Sequence, residues 1–282
     1  MLFTDTMSKQ DFKTKKSLGQ NFLIDEEIKE EIAAACGAGP DDLVIEIGPG
    51  LGAVTELLER SAGHVIAVEL DDRLIPILRA KFFDGKVEIL HADILQVDFE
   101  ELLAGREYSK LYAVGNLPYY ITTPILLGLM EKNLPAERIV VMVQKEVAEK
   151  MLATPGSGQY GVLSLFIQYY YEPSLTAEVP ADCFDPAPKV DSAVVTLNVR
   201  KDRRSVFANP SDVLEEFYFA LIRQAFVQRR KTLQNSLAGY RGIAKEQLGA
   251  ILEECGIENT RRAETLSVLD FAKLAEKIYN VL

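Results

Sequence analysis

The tetrad Asn116-Leu117-Pro118-Tyr119 contains the residue types that point most directly to chemistry in this chain. It follows an apolar run, residues 111–115, that is typical of a short buried strand. The tetrad therefore places an amide, a rigid turn and an aromatic ring at the carboxyl end of a strand. These groups suit the capture of a planar base that carries an exocyclic amine. Taken alone, the four residues fit an ordinary strand-to-helix turn equally well.

A glycine-rich loop follows an earlier apolar run, residues 43–47. Its glycines, Gly48, Gly50 and Gly52, are spaced G-x-G-x-G, whereas the dinucleotide fingerprint is G-x-G-x-x-G. Glycines at a strand-to-helix turn let the backbone approach a ligand closely. Glu46 stands just before the loop, where its negative charge disfavours a phosphate and suits a cationic ligand.

Two acidic residues stand at the ends of the next two predicted strands. Glu69 ends the run 64–69, where an acid can accept hydrogen bonds from both hydroxyls of a ribose. Asp93 follows the run 86–90 and is placed to accept a hydrogen bond from an adenine amine. A ligand with a ribose, an adenine and a positive charge but no phosphate is S-adenosyl-L-methionine. Because ligands of open α/β sheets bind at the carboxyl ends of strands, these acids, Asn116 and the glycine loop predict a site for this cofactor.

The elements that must position these residues alternate along the first two thirds of the chain. Strands alternating with helices at this spacing predict an α/β fold, a parallel Rossmann-like sheet with helices on both faces. Asp71 is expected to be the N-cap of the second helix. The predicted strands are residues 43–47, 64–69, 86–90, 111–115 and 138–143, and the predicted helices are residues 53–60, 71–82, 122–130 and 145–151.

The pattern changes towards the carboxyl terminus. Two final strands are predicted, joined by the proline-rich loop 182–191, and from about residue 210 the pattern is purely helical. We therefore expect two domains: residues 1–207, a cofactor-binding domain with an N-terminal extension, and residues 208–282, a small all-helical domain. The predicted elements here are the helix 162–170, the strands 175–179 and 193–200, and the helices 213–228, 231–237, 245–254 and 268–279.

Composition restricts the environment of the protein. Cys36, Cys183 and Cys255 are far apart and form no C-x-x-C pair, so we expect reduced thiols, no disulfide and no metal site. No apolar run has the length needed to span a membrane, and the first ten residues lack the apolar segment of a secretory signal. These features predict a cytoplasmic protein without a membrane partner.

The charge distribution is uneven. The formal net charge of −11 argues against a general nucleic-acid binder. Residues 200–246, however, contain ten basic and five acidic residues, and residues 9–16 contain four lysines and one aspartate. Both stretches have the charge needed to contact RNA phosphates, although an ordinary solvated surface has the same composition.

Seven segments together resemble one known family, the ribosomal RNA adenine dimethyltransferases (the KsgA/RsmA group of bacteria). The resemblance extends from about Lys15 to the carboxyl terminus. The segments are residues 16–25 (KSLGQNFLID), residues 46–52 (EIGPGLG), Glu69, Asp93, residues 116–119 (NLPY) and two later motifs, residues 184–193 (FDPAPKVDSA) and residues 223–233 (RQAFVQRRKTL).

The resemblance implies a class I methyltransferase sheet, and it implies roles for particular residues. Cofactor contacts are expected from Asn21, Leu23, Gly48, Glu69, Asp93 and Asn116, with Gly50 in the same loop. Tyr119 and Phe184 are expected to pack against the target adenine, although Phe184 also fits a loop aromatic that fills the core. We further hypothesise that RNA phosphates are contacted by Arg223, Arg229, Arg230 and Lys231.

The resemblance also implies a reaction. Its substrate is a pair of adjacent adenines near the 3′ end of small-subunit ribosomal RNA, each methylated twice on N6 by a monomeric enzyme, with the precursor of the small subunit as partner and no DNA. The Asn116 side chain and the Leu117 carbonyl would accept hydrogen bonds from the amine, Pro118 would aim that carbonyl, and Tyr119 would stack on the base. No general base is required, because the product ammonium is acidic. Catalysis would then consist of positioning and electrostatics.

Two other functions remain open at this point. A methyltransferase of the macrolide-resistance type, which modifies large-subunit RNA, shares the same catalytic core; Leu117 and residues 189–192 favour the small-subunit group. An assembly factor whose binding role dominates is the second, and the intact tetrad argues against loss of activity. DNA adenine and protein glutamine methyltransferases usually have proline where this chain has Leu117.

Overall fold

The computed structural model describes residues 20–83, 85–132 and 134–282. The basic stretch at residues 9–16 and the first part of the 16–25 motif lie outside them. The strands are β1 (Phe22–Leu23), β2 (Leu43–Ile47), β3 (His64–Glu69), β4 (Val87–His91), β5 (Leu111–Asn116), β6 (Arg138–Gln144), β7 (Tyr171–Val179), β8 (Phe184–Asp185) and β9 (Ser192–Val199). The α-helices are α1 (Glu26–Cys36), α2 (Ala53–Ser61), α3 (Ile75–Lys81), α4 (Phe99–Leu103), α5 (Thr122–Glu131), α6 (Lys145–Leu152), α7 (Val162–Tyr170), α8 (Asp212–Phe226), α9 (Leu233–Leu237), α10 (Lys245–Glu254) and α11 (Val268–Tyr279).

A seven-stranded sheet has the order β4-β3-β2-β5-β6-β9-β7. β2 pairs in parallel with both β3 and β5, and Leu43 is aligned with His64 on one side and Leu111 on the other. All five residues of β2 are buried, which explains its unbroken apolar character apart from Glu46. The chain runs from β2 outward to β3 and β4 and then returns to place β5 on the opposite side of β2. The predicted α/β class is confirmed, and the crevice between β2 and β5 is a topological switch point.

The chain forms two compact units. The first contains the described residues up to Pro135, together with Val140–Gln144 and Thr176–Val194. The second contains Ala136–Ile139, Lys145–Leu175 and Val195–Leu282. Residues 208–282 therefore lie wholly within the second unit; that they form a domain of their own stays a prediction.

Helix α1 of the first unit has well-defined ends, and the sequence analysis did not predict it. Asp25 is its N-cap, and its Oδ1 accepts a hydrogen bond from the Ile28 N–H at 3.0 Å. The helix ends at Gly37, whose φ of 68° is the left-handed conformation common at helix C-termini. Ile32 and Cys36 are buried in the core of this unit.

The prediction that Asp71 caps a helix was wrong. Helix α3 begins at Ile75, and Leu74 is its N-cap. The late start has a physical reason: Pro76 lacks an N–H and is tolerated only in the first turn. The Asp71 side chain instead accepts hydrogen bonds from the Arg73 and Gln20 side chains, at 2.9 Å from Arg73 Nε and 2.8 Å from Gln20 Nε2.

Aromatic side chains form the core of the second unit. Phe166 of α7 contacts Phe219 of α8 with ring centroids 4.5 Å apart, and Tyr169 lies 5.2 Å from Tyr218. Helix α8 also packs against α11 and α9.

Helix α11 starts with a reciprocal capping box, which confirms its predicted beginning. Ser267 Oγ accepts a hydrogen bond from Asp270 N, and the Asp270 carboxylate accepts one from Ser267 N.

The predicted helices 213–228 and 231–237 extend too far towards one another. Helix α8 ends at Phe226 and α9 begins at Leu233, so Arg229, Arg230 and Lys231 lie in the connection between them. The helical pattern of this stretch predicted the helices well but not the turn. These three consecutive basic residues are therefore exposed on a short loop and not on the surface of a helix.

The remaining differences between the predicted and the observed elements concern one strand boundary and three short elements. Strand β7 begins four residues earlier than predicted, at Tyr171. The two-residue strands β1 and β8 pair antiparallel, and neither they nor α4 were predicted. In the part of the chain that the structure describes, no helix is long and apolar enough to cross a membrane.

Gly52 should be the more sensitive of two glycines that both have a positive φ. A Cβ at Gly52 (φ +75°) would lie 2.6 Å from the Phe82 ring, whereas a Cβ at Gly105 (φ +71°) would meet nothing within 4 Å. We expect Gly105→Ala to lower the free energy of unfolding by about 1 kcal/mol through backbone strain. Gly52→Ala should lower it by about 2–4 kcal/mol, because it adds overpacking. Urea unfolding followed by circular dichroism measures both values, and equal losses would contradict the clash.

Candidate active site

A pocket in the first unit lies at the carboxyl ends of β2, β3, β4 and β5. The residues that line it include Glu46, Glu69, Asp93 and Asp185, and among the described lining residues there is no lysine or arginine. Four acidic side chains without a basic one favour a cation over a phosphate. This charge pattern fits the ligand predicted from the sequence and argues against a dinucleotide.

The glycine loop between β2 and α2 is held from two sides. On one side, the Gly50 N–H donates to Glu69 Oε2 at 3.3 Å. On the other, Lys81 Nζ of α3 donates to the carbonyl oxygens of Leu51 and Gly52 at 2.9 and 3.2 Å. The loop is therefore fixed where the backbone of Gly48 and Gly50 borders the pocket.

Glu69 occupies the position expected of an acid that binds a ribose. It is buried at the end of β3, and its Oε1 accepts a hydrogen bond from the Asp71 N–H at 2.7 Å. Burial raises the pKa of Glu69, while the N–H groups of Asp71 and Gly50 act in the opposite direction. Because a carboxylate oxygen accepts more than one hydrogen bond, both oxygens retain capacity for ligand hydroxyls.

An anchor that the sequence analysis missed holds the N-terminal segment at the pocket. The Asp71 carboxylate is buried between Arg73 and Gln20, and the Arg73 guanidinium holds its pKa well below the usual range. Gln20 and the neighbouring Asn21 line the pocket. Asp71 and Arg73 are close in sequence, but Gln20 is 51 residues from Asp71, so only the fold brings it to this pair.

The tetrad is oriented by hydrogen bonds to three other segments. Asn116 Nδ2 donates to the Asn21 carbonyl at 3.3 Å, which leaves the side-chain oxygen as an acceptor. The Leu117 N–H donates to the Met142 carbonyl of β6 at 3.0 Å, and the Leu117 side chain is fully buried. The Pro118 carbonyl accepts from Thr122 Oγ1 at 3.0 Å. These contacts fix the turn that the sequence predicted.

Tyr119 is held by its hydroxyl. Tyr119 Oη lies 2.7 Å from Oγ of Ser192, which is buried, and the half-buried ring lines the pocket. Burial raises the pKa of the Tyr119 hydroxyl, so it stays protonated at neutral pH. The ring thus presents an apolar face in a defined orientation. Ser192 belongs to the later motif of residues 184–193, whose role the sequence did not reveal.

The structure does not place Phe184 in this pocket. Its side chain is 3% exposed and belongs to the hydrophobic core, where β8 pairs with β1 and Phe184 is aligned with Leu23. The adjacent Asp185 lines the pocket instead. The described geometry corresponds to the alternative of a loop aromatic that fills the core, and contact of Phe184 with adenine stays a prediction.

Other expected cofactor residues do meet at the pocket. Asn21, Leu23 and Gly48 line it together with Asp93, whose Oδ1 accepts a hydrogen bond from the Leu95 N–H at 2.9 Å. The fold thus brings residues from five separate segments to one place. Their contact with a cofactor stays a prediction.

The four basic residues predicted to contact RNA lie in the second unit. The Arg223 guanidinium lies 5.0 Å from the centre of the Phe166 ring. Arg229 Nη2 donates to the Tyr160 carbonyl at 3.0 Å, so this residue also has a structural role. Arg230 and Lys231 are exposed.

Glu46 is the most deeply buried carboxylate of the pocket. Its residue is 3% exposed, and within the described residues Oε2 has no hydrogen-bond partner. Burial raises the pKa of Glu46 to about 7, and the nearby Glu69 carboxylate acts in the same direction. From the sequence, Glu46 was expected to suit a cationic ligand, but it was not among the expected cofactor contacts.

Comparison with known proteins identifies the family to which the chain is similar. The family described as "Ribosomal RNA adenine dimethylase" matches residues 11–280. The "Ribosomal RNA small subunit methyltransferase A" of Oceanobacillus iheyensis is 43% identical over 281 residues, which cover 98% of this chain and 94% of the relative. The protein of the same name from Lachnoclostridium phytofermentans is 44% identical over 279 residues, with coverage of 97% and 94%.

Two solved structures are similar along most of the chain. A dimethyladenosine transferase from Plasmodium falciparum has a TM-score of 0.75 at 24% identity, covering 90% of this chain and 95% of that one, and shows the fold. The 23S rRNA methyltransferase ErmE has a TM-score of 0.68 at 27% identity, covering 92% and 100%.

The raised pKa of Glu46 predicts a pH-dependent stability. In the native state the carboxyl has a pKa of about 7 against a usual 4.5, so between these values the native state holds a proton that the unfolded state has lost. The free energy of unfolding should therefore fall as pH rises from about 4.5 to 7. In the Glu46→Gln variant, this decrease in the free energy of unfolding should be smaller by about 3 kcal/mol. Urea unfolding at several pH values, followed by circular dichroism, measures the difference; the exposed Glu30→Gln serves as control, and parallel curves for all three proteins would refute the prediction.

Proposed function

Because the chain belongs to the ribosomal RNA adenine dimethylase family, we propose that it methylates N6 of two adjacent adenines near the 3′ end of small-subunit ribosomal RNA. Each adenine receives two methyl groups from S-adenosyl-L-methionine. The single observation that carries this proposal is the near-complete match to relatives named as small-subunit methyltransferases. The arrangement of the pocket supplies an independent physical argument for the same chemistry.

The residues of the pocket fit S-adenosyl-L-methionine. Its lining of carboxylates without a described basic residue suits a ligand that has a positive charge and no phosphate. Glu69 would accept hydrogen bonds from the ribose hydroxyls, and Asp93 from the adenine amine. The backbone of the glycine loop and the Asn21–Leu23 segment would border the rest of the molecule. When bound, the cofactor supplies an electrophilic methyl group.

The tetrad would position the target amine. The Asn116 side-chain oxygen would accept a hydrogen bond from the N6 amine, because the Asn116 nitrogen already donates to Asn21. A second bond to the Leu117 carbonyl would favour a more tetrahedral nitrogen with its lone pair available for attack. Tyr119 would stack on the base, a contact that contributes on the order of 1–3 kcal/mol.

The site needs no general base for this reaction. The nitrogen becomes a cation on receiving the methyl group, and that cation loses its proton readily to water. The tetrad has one side-chain hydroxyl, that of Tyr119, and its raised pKa and its hydrogen bond to Ser192 make it a poor base at neutral pH. Rate enhancement would then come from orientation and electrostatics.

Arg230 and Lys231 are the best placed of the basic residues for RNA, since both are exposed and lie on a connecting loop. We propose that they contact phosphates of the small-subunit precursor. Arg223 and Arg229 would contribute less, because each already contacts its own unit. The proposal also includes action in the cytoplasm, as a monomer and without DNA.

The macrolide-resistance alternative has one observation in its favour, the likeness to ErmE. The relatives named for the small subunit are more similar in sequence, at 43–44% identity against 27%. A binding role in ribosome assembly is compatible with methyl transfer, and both can coexist in one protein.

Methyl transfer to isolated ribosomal subunits tests the function directly. With labelled cofactor, the wild-type chain should label unmethylated small subunits at two adjacent adenines, located by nuclease mapping, and leave large subunits unlabelled. Asn116→Ala should reduce the rate at least 100-fold, because it removes a positioned acceptor, while binding to the particle stays within about threefold. Asn280→Ala, at the end of α11, is the control. Label in the large subunit would support the macrolide-resistance alternative instead.

Charge reversal on the α8–α9 connection tests the RNA contacts. The double variant Arg230→Glu/Lys231→Glu should bind small subunits at least tenfold more weakly at about 100 mM salt. The slope of log affinity against log salt should also become shallower by about 1.5–2, because two phosphate contacts are lost. Lys273→Glu, an exposed charge on α11, provides the matched control. Unchanged affinity and slope in the double variant would remove these residues from the interface.

A further inference from the structure

Glu46 differs from every other carboxylate of the pocket in one respect. Glu69 accepts hydrogen bonds from Gly50 and Asp71, Asp93 accepts one from Leu95, and Asp185 is exposed to water. Glu46 is buried, and in the described part of the chain its Oε2 has no donor. An ionised carboxylate in such a place is costly unless a positive charge approaches it.

Among the residues that the structure describes, no side chain supplies that charge directly; the buried Thr55 hydroxyl of α2 favours the ionised form of Glu46 but carries no charge. The charged groups that act on Glu46 are Glu69, at the end of β3, and Lys81, on α3. Glu69 opposes ionisation and Lys81 favours it. The Lys81 ammonium is, however, engaged with two carbonyls of the glycine loop and with Glu56 Oε1 at 2.6 Å. Burial dominates, and it raises the pKa of Glu46 to about 7.

We propose that Glu46 is the counter-charge of the cofactor, neutral in the empty pocket and ionised when a cationic group of the cofactor binds beside it. This inference rests on the proposed use of S-adenosyl-L-methionine and extends it to a residue outside the expected set of contacts. The proton of the carboxylic acid passes to solvent as the cation enters. Cofactor binding and proton release are then thermodynamically linked.

Two cationic groups of the cofactor satisfy this chemistry, the sulfonium and the α-ammonium. S-adenosyl-L-homocysteine, the product, retains the ammonium and lacks the sulfonium charge. If the sulfonium is the partner, Glu46 favours the substrate form of the cofactor over the product. If the ammonium is the partner, it binds both forms alike.

Isothermal titration calorimetry without RNA tests the proposal. S-adenosyl-L-methionine and S-adenosyl-L-homocysteine are titrated separately into the wild-type protein between pH 6 and 8, in buffers that differ in ionisation enthalpy. Near pH 7 the wild type should release about half a proton for each S-adenosyl-L-methionine bound, because a group of pKa about 7 is half protonated there. Release with this ligand alone identifies the sulfonium, and release with both identifies the ammonium.

The variant Glu46→Gln separates Glu46 from Glu69, whose pKa is also raised. In this variant, proton release should fall to near zero and affinity at pH 8 should drop at least tenfold, while Glu30→Gln behaves as the wild type. Circular dichroism verifies that the variants fold, and the wild-type proton count needs no variant. No release from the wild type, or equal release from Glu46→Gln, would overturn the inference.

The outcomes also distinguish this inference from the proposed function. Methyl transfer to small subunits with no proton release would leave the function standing and remove only the role of Glu46. Absence of any heat of binding for S-adenosyl-L-methionine would contradict the cofactor assignment and the inference together.

Discussion

Parallel pairing of β2 with both β3 and β5 is the constraint on which the candidate site depends. Because the three strands run in the same direction and in register, their carboxyl ends open onto one crevice. The glycine loop, Glu69 and Asn116 become neighbours for this reason alone, although they are distant in sequence. Lys81 and Glu69 then fix the glycine loop from opposite sides. The pocket is thus built on strands and supported by side chains from the helices and turns that follow them.

Much of this arrangement could be predicted from the sequence, because local signals determined it. Buried apolar runs gave the strands β2 to β6, and the position of polar residues after them gave Glu69, Asp93 and Asn116. What the sequence could not predict depends on contacts between distant segments. The pairing of β1 with β8, the contact of Gln20 with Asp71 and that of Tyr119 with Ser192 have no local signature. The burial of Phe184 is of the same kind.

Neighbouring carboxyl groups in this region have pKa values that their surroundings shift in opposite directions. Burial raises the pKa of Glu46 and of Glu69, whereas the guanidinium of Arg73 lowers that of Asp71. The three acids therefore serve different purposes. Asp71 stays ionised and anchors the N-terminal segment, whereas burial favours the neutral form of Glu46 and Glu69. Such divergence among neighbouring acids is a feature of functional sites.

The hydrogen bond from Asn116 to the Asn21 carbonyl sets the orientation of the Asn116 amide. An unconstrained amide can rotate to offer either its oxygen or its nitrogen to a ligand, but the Asn116 nitrogen is already engaged. In that orientation the side-chain oxygen is left to accept a hydrogen bond, while the second N–H of the amide also remains. A purine with an amine at position 6 satisfies that oxygen, whereas one with a carbonyl there would bring two oxygens together. If the Asn116 oxygen accepts the amine of the target base as proposed, discrimination between adenine and guanine would depend on one carbonyl of the N-terminal segment.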